Sequence, residues 1–182
     1  CQKLCAEDIV RSQTDKWMIV RPLFAYGGVG DMNSLIAKTI YGALNNKKQI
    51  DMFLDMNKIK DYMHVNDYCD AVLTAINKDL WNSDWNVAAE TPCKTGDIML
   101  MIQKICNLDL TSVIKDHPHT DYLGNHRLSS EKFRKASGWE PKITLEEGIR
   151  MSYESIIKSK NYNPLLYLED AKERKIDLTQ FY

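Results

Sequence analysis

Lys60-Asp61-Tyr62-Met63-His64-Val65-Asn66-Asp67-Tyr68-Cys69-Asp70-Ala71-Val72-Leu73-Thr74-Ala75-Ile76 changes character part-way along, and that change decides the fold class. Residues 61–65 predict a short strand, Asn66-Asp67 supplies an N-cap, and Ala71, Val72, Ala75 and Ile76 then recur at helical spacing. The same strand-then-helix grammar appears on both sides. Upstream, Trp17-Met18-Ile19-Val20 is an apolar run closed by Pro22, which predicts a buried strand feeding a loop. The loop Tyr26-Gly27-Gly28-Val29-Gly30-Asp31 opens a helix over about 33–45, and a short strand near 50–53 and a turn at 55–58 follow. Downstream, Trp85-Asn86-Val87-Ala88-Ala89 reads as a strand and 95–106 as a helix with Thr95-Gly96-Asp97 as its cap. A strand near 112–115 and an irregular stretch through Arg127 lead to a helix that starts at Ser129 or Ser130 and ends at Ala136. Gly138-Trp139-Glu140-Pro141 makes a turn, and Thr144-Leu145-Glu146-Glu147 is a capping box for a helix running to about Lys158. Strands alternating with helices indicate an α/β protein.

At the start of the chain, Leu4, Cys5, Ile9 and Val10 fall at helical spacing among Lys3, Glu7, Asp8 and Arg11, so residues 2–12 predict an amphipathic helix. The first residue is Cys rather than Met, which fits a fragment or a processed chain. Its 182 residues suffice for one full core. With 44% hydrophobic and 27% charged residues and a formal net charge of -1, neither disorder nor a bulk attraction to nucleic acid is indicated. Cys1, Cys5, Cys69, Cys93 and Cys106 are odd in number and form no C-x-x-C pair, which argues against a zinc site or disulfide scaffold and suits a reducing, cytoplasmic setting. No apolar run of about 18 residues is present to span a bilayer, so no membrane partner is expected.

The order of four segments resembles the extended short-chain dehydrogenase/reductase family, especially the NAD-dependent nucleotide-sugar epimerases and dehydratases. Lys3-Leu4-Cys5-Ala6-Glu7 is similar to the end of a Tyr-x-x-x-Lys-x-x-x-Glu helix, whose tyrosine would lie two residues before Cys1. Val20-Arg21-Pro22 through Tyr26-Gly27 looks like R-P-x-N-x-Y-G. Residues 60–67 with Ala71-Val72 are similar to R-D-[FYW]-[IV]-[HY]-V-x-D…A-[VI]. Trp85-Asn86-Val87, then Gly138-Trp139-Glu140-Pro141 and Leu145-Glu146-Glu147-Gly148, complete the pattern. The resemblance covers residues 1–158 and implies the C-terminal portion of a Rossmann-like parallel sheet, interleaved with a small α/β substrate-binding lobe. Residues 159–182 read as a C-terminal extension.

That resemblance carries a chemistry. A tyrosinate exchanges a proton with a sugar hydroxyl while a bound nicotinamide, NAD or NADP, takes and returns hydride. A lysine one helical turn away lowers the tyrosine pKa and hydrogen-bonds the nicotinamide ribose. On this reading Lys3 is the catalytic and cofactor-binding lysine, Pro22 and Phe24 stand beside the nicotinamide, and Phe24, Lys60 and Arg127 contact a nucleotide-sugar. Lys60 stands where the family has arginine, keeping the charge but losing the bidentate fork, and Phe24 replaces an asparagine. Both departures leave the base, the sugar and the reaction subtype open. The helix at 2–12 belongs, in the resembled family, to a four-helix dimer interface, so a homodimeric parent protein is implied. A non-catalytic binding module of the same fold is an alternative, and so is a reductase or hydroxysteroid-type dehydrogenase of the family.

Other motifs have plainer readings. Gly28-Val29-Gly30-Asp31-Met32-Asn33 imitates a dinucleotide fingerprint, but Asn33 takes the third glycine's place and no acidic residue closes a second strand about 20 residues on, so it reads as a loop into the second lobe. His117-Pro118-His119-x-Asp121, with His126 nearby, is the one metal-like cluster; Pro118 breaks a regular strand there and no distant acidic ligand presents itself, so no metal is expected. Trp17, Trp85 and Trp139 are expected in the core and Trp81 as a loop anchor, with Met52, Met56, Met63, Met99 and Met101 as core filling.

Overall fold

Two parallel strand pairs set the frame. β1 (Met18–Pro22) runs alongside β6 (Ser83–Val87), from Met18 opposite Ser83 to Pro22 opposite Val87. Only three residues long, β2 (Phe24–Tyr26) pairs in parallel with β5 (Tyr62–His64). The chain is described by a computed structural model over residues 2–28, 34–44, 50–107, 114–116 and 124–159. The His117–Asp121 cluster, the 29–33 portion of the glycine loop and residues 160–182 lie outside the described residues.

Around these pairs stand α1 (Gln2–Gln13), α2 (Leu35–Leu44), α3 (Val65–Asn77), α4 (Thr95–Cys106), α5 (Glu131–Ser137) and α6 (Leu145–Lys158). β3 (Ile50–Leu54) pairs in parallel with β8 (Ile114–Asp116), and β4 (Ile59–Lys60) in antiparallel with β7 (Cys93–Lys94). The architecture is α/β, as the alternation of strand and helix signals predicts, and Rossmann-like, as the resemblance implies.

The local chemistry departs from expectation at three starts and ends. β1 continues through Pro22, whose missing N–H is tolerated at the exposed last position of the strand. The N-cap of α3 is His64 rather than Asn66-Asp67: its Nδ1 accepts from the Asn66 N–H at 3.2 Å, freeing Asp67 for another task. Thr95 does not cap α4. Its hydroxyl donates to the Lys58 carbonyl at 3.1 Å, and the N-cap is Lys94 with no side-chain bond. By contrast, the capping box of α6 is present in both directions between Thr144 and Glu147.

Two apolar clusters flank the β2–β5 pair. One gathers Met63, Ala71, Ala75, Trp85, Val87, Phe133 and Trp139, with the Phe133 ring 5.8 Å from Trp85 and 5.7 Å from Trp139. The other joins Tyr26 to Ile36 and Ile40 of α2, Ile98 and Ile102 of α4, and Ile149 and Ile156 of α6. Strand alternation explains how β5 serves both, since successive side chains point to opposite faces. Met63 enters the first cluster, while Tyr62 packs on the second and His64 meets Tyr26 edge-on at 5.4 Å. Of the expected core tryptophans, Trp85 and Trp139 are buried and Trp17 is half-buried. Trp81 donates to the Asp79 carboxylate at 2.9 Å.

α1 is the exception. Its pattern predicts an apolar face, yet among the described residues none of its side chains is buried.

Candidate functional site

Lys60 ends β4 and is only 3% exposed, an unusual place for an ammonium, which loses hydration on burial unless polar groups replace it. Its Nζ donates to the Gly124 carbonyl at 3.1 Å and lies 5.6 Å from the centre of the Phe24 ring.

Phe24 opens β2 directly after Leu23, where the chain leaves β1 for the second strand pair. Its ring lies 5.4 Å from Tyr62 and 5.3 Å from His126, the latter edge-on at 78°. The segment carrying His126 is held against β4 by two bonds. The His126 N–H donates to Ile59 O and the Ile59 N–H to Asn125 Oδ1, both at 2.9 Å. His126 Nδ1 also lies 3.2 Å from Gly124 O, the oxygen that receives Lys60. Phe24 and Lys60, named from sequence, thus come together, and Tyr62 and His126 join them. Arg127 follows His126 directly and is exposed. Lys3 is exposed on α1, and Pro22 is exposed at the end of β1. No hydrogen bond or ring contact among the described residues links Lys3 to the Phe24–Lys60 group.

Two buried carboxylates, both inside the 60–67 stretch, brace this site. Asp61 is 1% exposed and accepts from the Glu90 and Thr91 N–H groups at 3.1 and 3.2 Å, tying the loop after β6 to the end of β4. Burial pushes its pKa up, and those two donors oppose the shift. Asp67 accepts from the Lys142 N–H at 3.2 Å and the Ile143 N–H at 2.9 Å, fixing the approach to α6. The oxygens of both acids are taken up by backbone donors.

Close packing of Tyr26, Gly27, His64 and Gly148 completes the brace. Gly27 has φ +125°, and a Cβ there would stand 2.7 Å from His64 Nε2. A Cβ on Gly148 would stand 2.0 Å from the Tyr26 hydroxyl, so α6 approaches β2 as closely as only glycine allows. Burial pushes the Tyr26 pKa well above its ordinary value and the His64 pKa below its own. His64 thus stays neutral while it caps α3.

Chemically, a buried ammonium beside an aromatic ring suits an anionic oxygen, and the rings gathered on Phe24 suit a flat or apolar ligand surface. Among the described residues no group of three or more His, Cys, Asp or Glu side chains is arranged to hold a metal ion, and no helix is long and apolar enough to cross a membrane.

Residues 1–88, which include β1, β2, the buried Lys60 and both bracing acids, match the NAD dependent epimerase/dehydratase family. Residues 1–88 thus carry that family's pattern. Among curated relatives, it is 27% identical over 139 residues to dTDP-glucose 4,6-dehydratase 1 of Escherichia coli (strain K12), covering 71% of this chain and 37% of the relative. It is 24% identical over 143 residues to dTDP-glucose 4,6-dehydratase of Haemophilus influenzae, covering 70% of this chain and 40% of that protein. Among solved structures, the fold is similar to dTDP-glucose 4,6-dehydratase of Bacillus anthracis in complex with NAD, with TM-score 0.76, 19% identity, and 90% of this chain and 52% of the other covered. UDP-glucose 4-epimerase of Thermotoga maritima with UDP-glucose gives TM-score 0.74 at 24% identity, over 86% of this chain and 50% of that one. The chain therefore spans well under half the length of these curated family relatives.

Proposed function

We propose that this chain supplies the lysine-bearing helix and the nucleotide-sugar side of an NAD(P)-dependent epimerase or 4,6-dehydratase. Residues 1–158 would be the C-terminal portion of its catalytic domain, with 159–182 an extension. The observation that carries the reading is the burial of the Lys60 ammonium beside Phe24, whose ring Tyr62 and His126 contact. Relatives named for dTDP-glucose and UDP-glucose chemistry support a nucleotide-sugar as the ligand.

The residues at the end of β1 fit the nicotinamide end of a dinucleotide. β1 and β6 end side by side at Pro22 and Val87, and carboxyl ends of parallel strands are where open α/β sheets receive ligands. Lys3 would hold the nicotinamide ribose, and Pro22 and Phe24 would line the ring's edge. When bound, NAD or NADP supplies the redox chemistry. Lys3 lowers the pKa of the proton-transferring tyrosine, which the family motif places upstream of Cys1. Lys60, with Arg127 from the adjoining segment, receives the diphosphate oxygens, and Phe24 orients the sugar.

Isothermal titration of the protein, including its upstream sequence, with dTDP-glucose and UDP-glucose tests the substrate side. Lys60→Met is expected to weaken the better ligand by about 10- to 100-fold, the range for losing a hydrogen bond to a charged group, while Lys60→Arg retains most of the affinity. Unchanged affinity in Lys60→Met rejects the assignment. The 182-residue chain alone is expected to turn over neither sugar nucleotide. Turnover by it would refute the placement of the proton-transfer residue upstream.

A further inference from the structure

α1 is held to the sheet by charge rather than by apolar burial. Leu4, Ile9 and Val10 are 62%, 60% and 40% exposed, and no α1 side chain is buried. Two arginines and two carboxylates form a closed ring instead. Arg21 of β1 donates through Nε to Glu7 Oε1 at 2.8 Å and through Nη2 to Glu7 Oε2 at 2.5 Å. The same Nη2 reaches Asp84 Oδ2 of β6 at 2.9 Å. Arg11 donates to Glu7 Oε2 at 3.1 Å and to both Asp84 oxygens, at 2.9 and 2.8 Å. Each arginine thus grips both carboxylates, and the ring is neutral.

Its placement follows from strand register. Asp84 stands opposite Ile19, two residues before Arg21, so Arg21 and Asp84 share one face of the β1–β6 pair. Val20, Trp85 and Val87 take the other face, toward the first apolar cluster. On α1, Lys3, Glu7 and Arg11 recur every four residues and form one stripe. The ring therefore grips the stripe that carries Lys3, through a strand residue that immediately precedes Pro22.

We propose that Glu7 and Arg21 are positioning residues that hold Lys3 in register with the β1 end at Pro22. This rests on the reading of Lys3 and Pro22 as cofactor-facing. An ion pair alone at this exposure would matter little, but a bidentate arginine within a closed network has the geometry that does contribute. The arrangement also supplies what apolar packing does not, a fixed rotation of the helix about its axis.

Two measurements test it. In the 182-residue chain, hydrogen exchange across Gln2–Gln13 is expected to quicken about tenfold in Glu7→Gln and in Arg21→Met, with α6 unchanged, and to recover in part in the Glu7→Arg/Arg21→Glu exchange. Unchanged α1 exchange, or equal quickening of α6, overturns the proposal. In the protein with its upstream sequence, Arg21→Met is expected to lower kcat about tenfold at constant KM and to move the acidic limb of the pH–rate profile upward, because a displaced Lys3 no longer lowers the tyrosine pKa. Arg21→Lys should recover part of both effects. Unaltered kcat and pH limb overturn it. A wild-type protein with no turnover at all would instead defeat the proposed function, and the exchange measurement would still decide whether the ring holds α1.

Discussion

α1 and α6 both mix charged and apolar residues at helical spacing, yet they are attached by different physics. α6 buries Gly148, Ile149, Ser152 and Ile156, is capped in both directions at Thr144 and Glu147, and presses so closely on β2 that Gly148 admits no side chain. α1 has no fully buried residue and meets the sheet through Arg21, Glu7, Arg11 and Asp84. Apolar burial fixes α6 strongly and without need of an ion pair, while the ion ring fixes α1 directionally and depends on charge. The firm element forms the second cluster, and the charge-held element carries the lysine assigned to chemistry.

The largest test of the contrast is Ile149→Ala. Ile149 is 0% exposed, so its truncation leaves a cavity and is expected to cost about 3 kcal/mol in urea unfolding. A loss under about 1 kcal/mol would mean that α6 is not packed as described. Gly148→Ala comes next. In an open helix this change stabilises by up to about 1 kcal/mol, but here the new Cβ would meet the Tyr26 hydroxyl at 2.0 Å, inside a buried contact. Overpacking should win, with a net loss of about 2 kcal/mol, and pairing with Tyr26→Phe should recover part of it.

These residues also show what the sequence could and could not reveal. The strand at β1, the helices α2 to α6 and the α6 capping box follow from local pattern, because each needs only neighbours in the chain. β2 was not legible: three residues, Phe24 to Tyr26, form a strand only because β5 lies beside them. The amphipathic pattern of α1 predicts a buried face, but burial depends on what faces the helix, and no described residue of this chain covers Leu4 and Ile9. In the candidate site, Phe24 and Lys60 were legible from motif order. Tyr62 and His126 join them only through tertiary contact, although both lie within segments that the sequence singles out. The bracing roles of Asp61 and Asp67 depend on N–H donors from segments distant in sequence, so motif order alone does not reveal them.

Acidification should separate the two helices in order. His64 is buried and neutral, and its folded pKa lies below the ordinary 6.5, so the unfolded chain takes up a proton first as pH falls. Its contribution is complete above about pH 6.5 and is lost progressively below it. Glu7 and Asp84 are held below their ordinary 4.5 and 3.8 by hydrogen bonds from Arg21 and Arg11, so their contribution persists until pH falls through those values. Urea midpoints should therefore begin to drop just below pH 6.5, before α1 loosens. His64→Asn, which retains a capping acceptor, should flatten that drop. An equal slope in wild type and variant would show that another group is responsible.

The smallest expected effect probes α1 from its apolar side. Leu4 and Ile9 are about as exposed as surface residues, so Leu4→Ser and Ile9→Ser should each change the stability of this chain by less than about 0.5 kcal/mol. The result gains meaning beside Arg21→Met, which leaves every α1 side chain in place and removes only the ring's link to β1. If α1 is held by charge, the serine variants leave its hydrogen exchange unchanged and Arg21→Met alone quickens it. If instead the serine variants quicken exchange as much as Arg21→Met does, apolar contacts of α1 carry the attachment, and the contrast between the two helices fails at its weaker end.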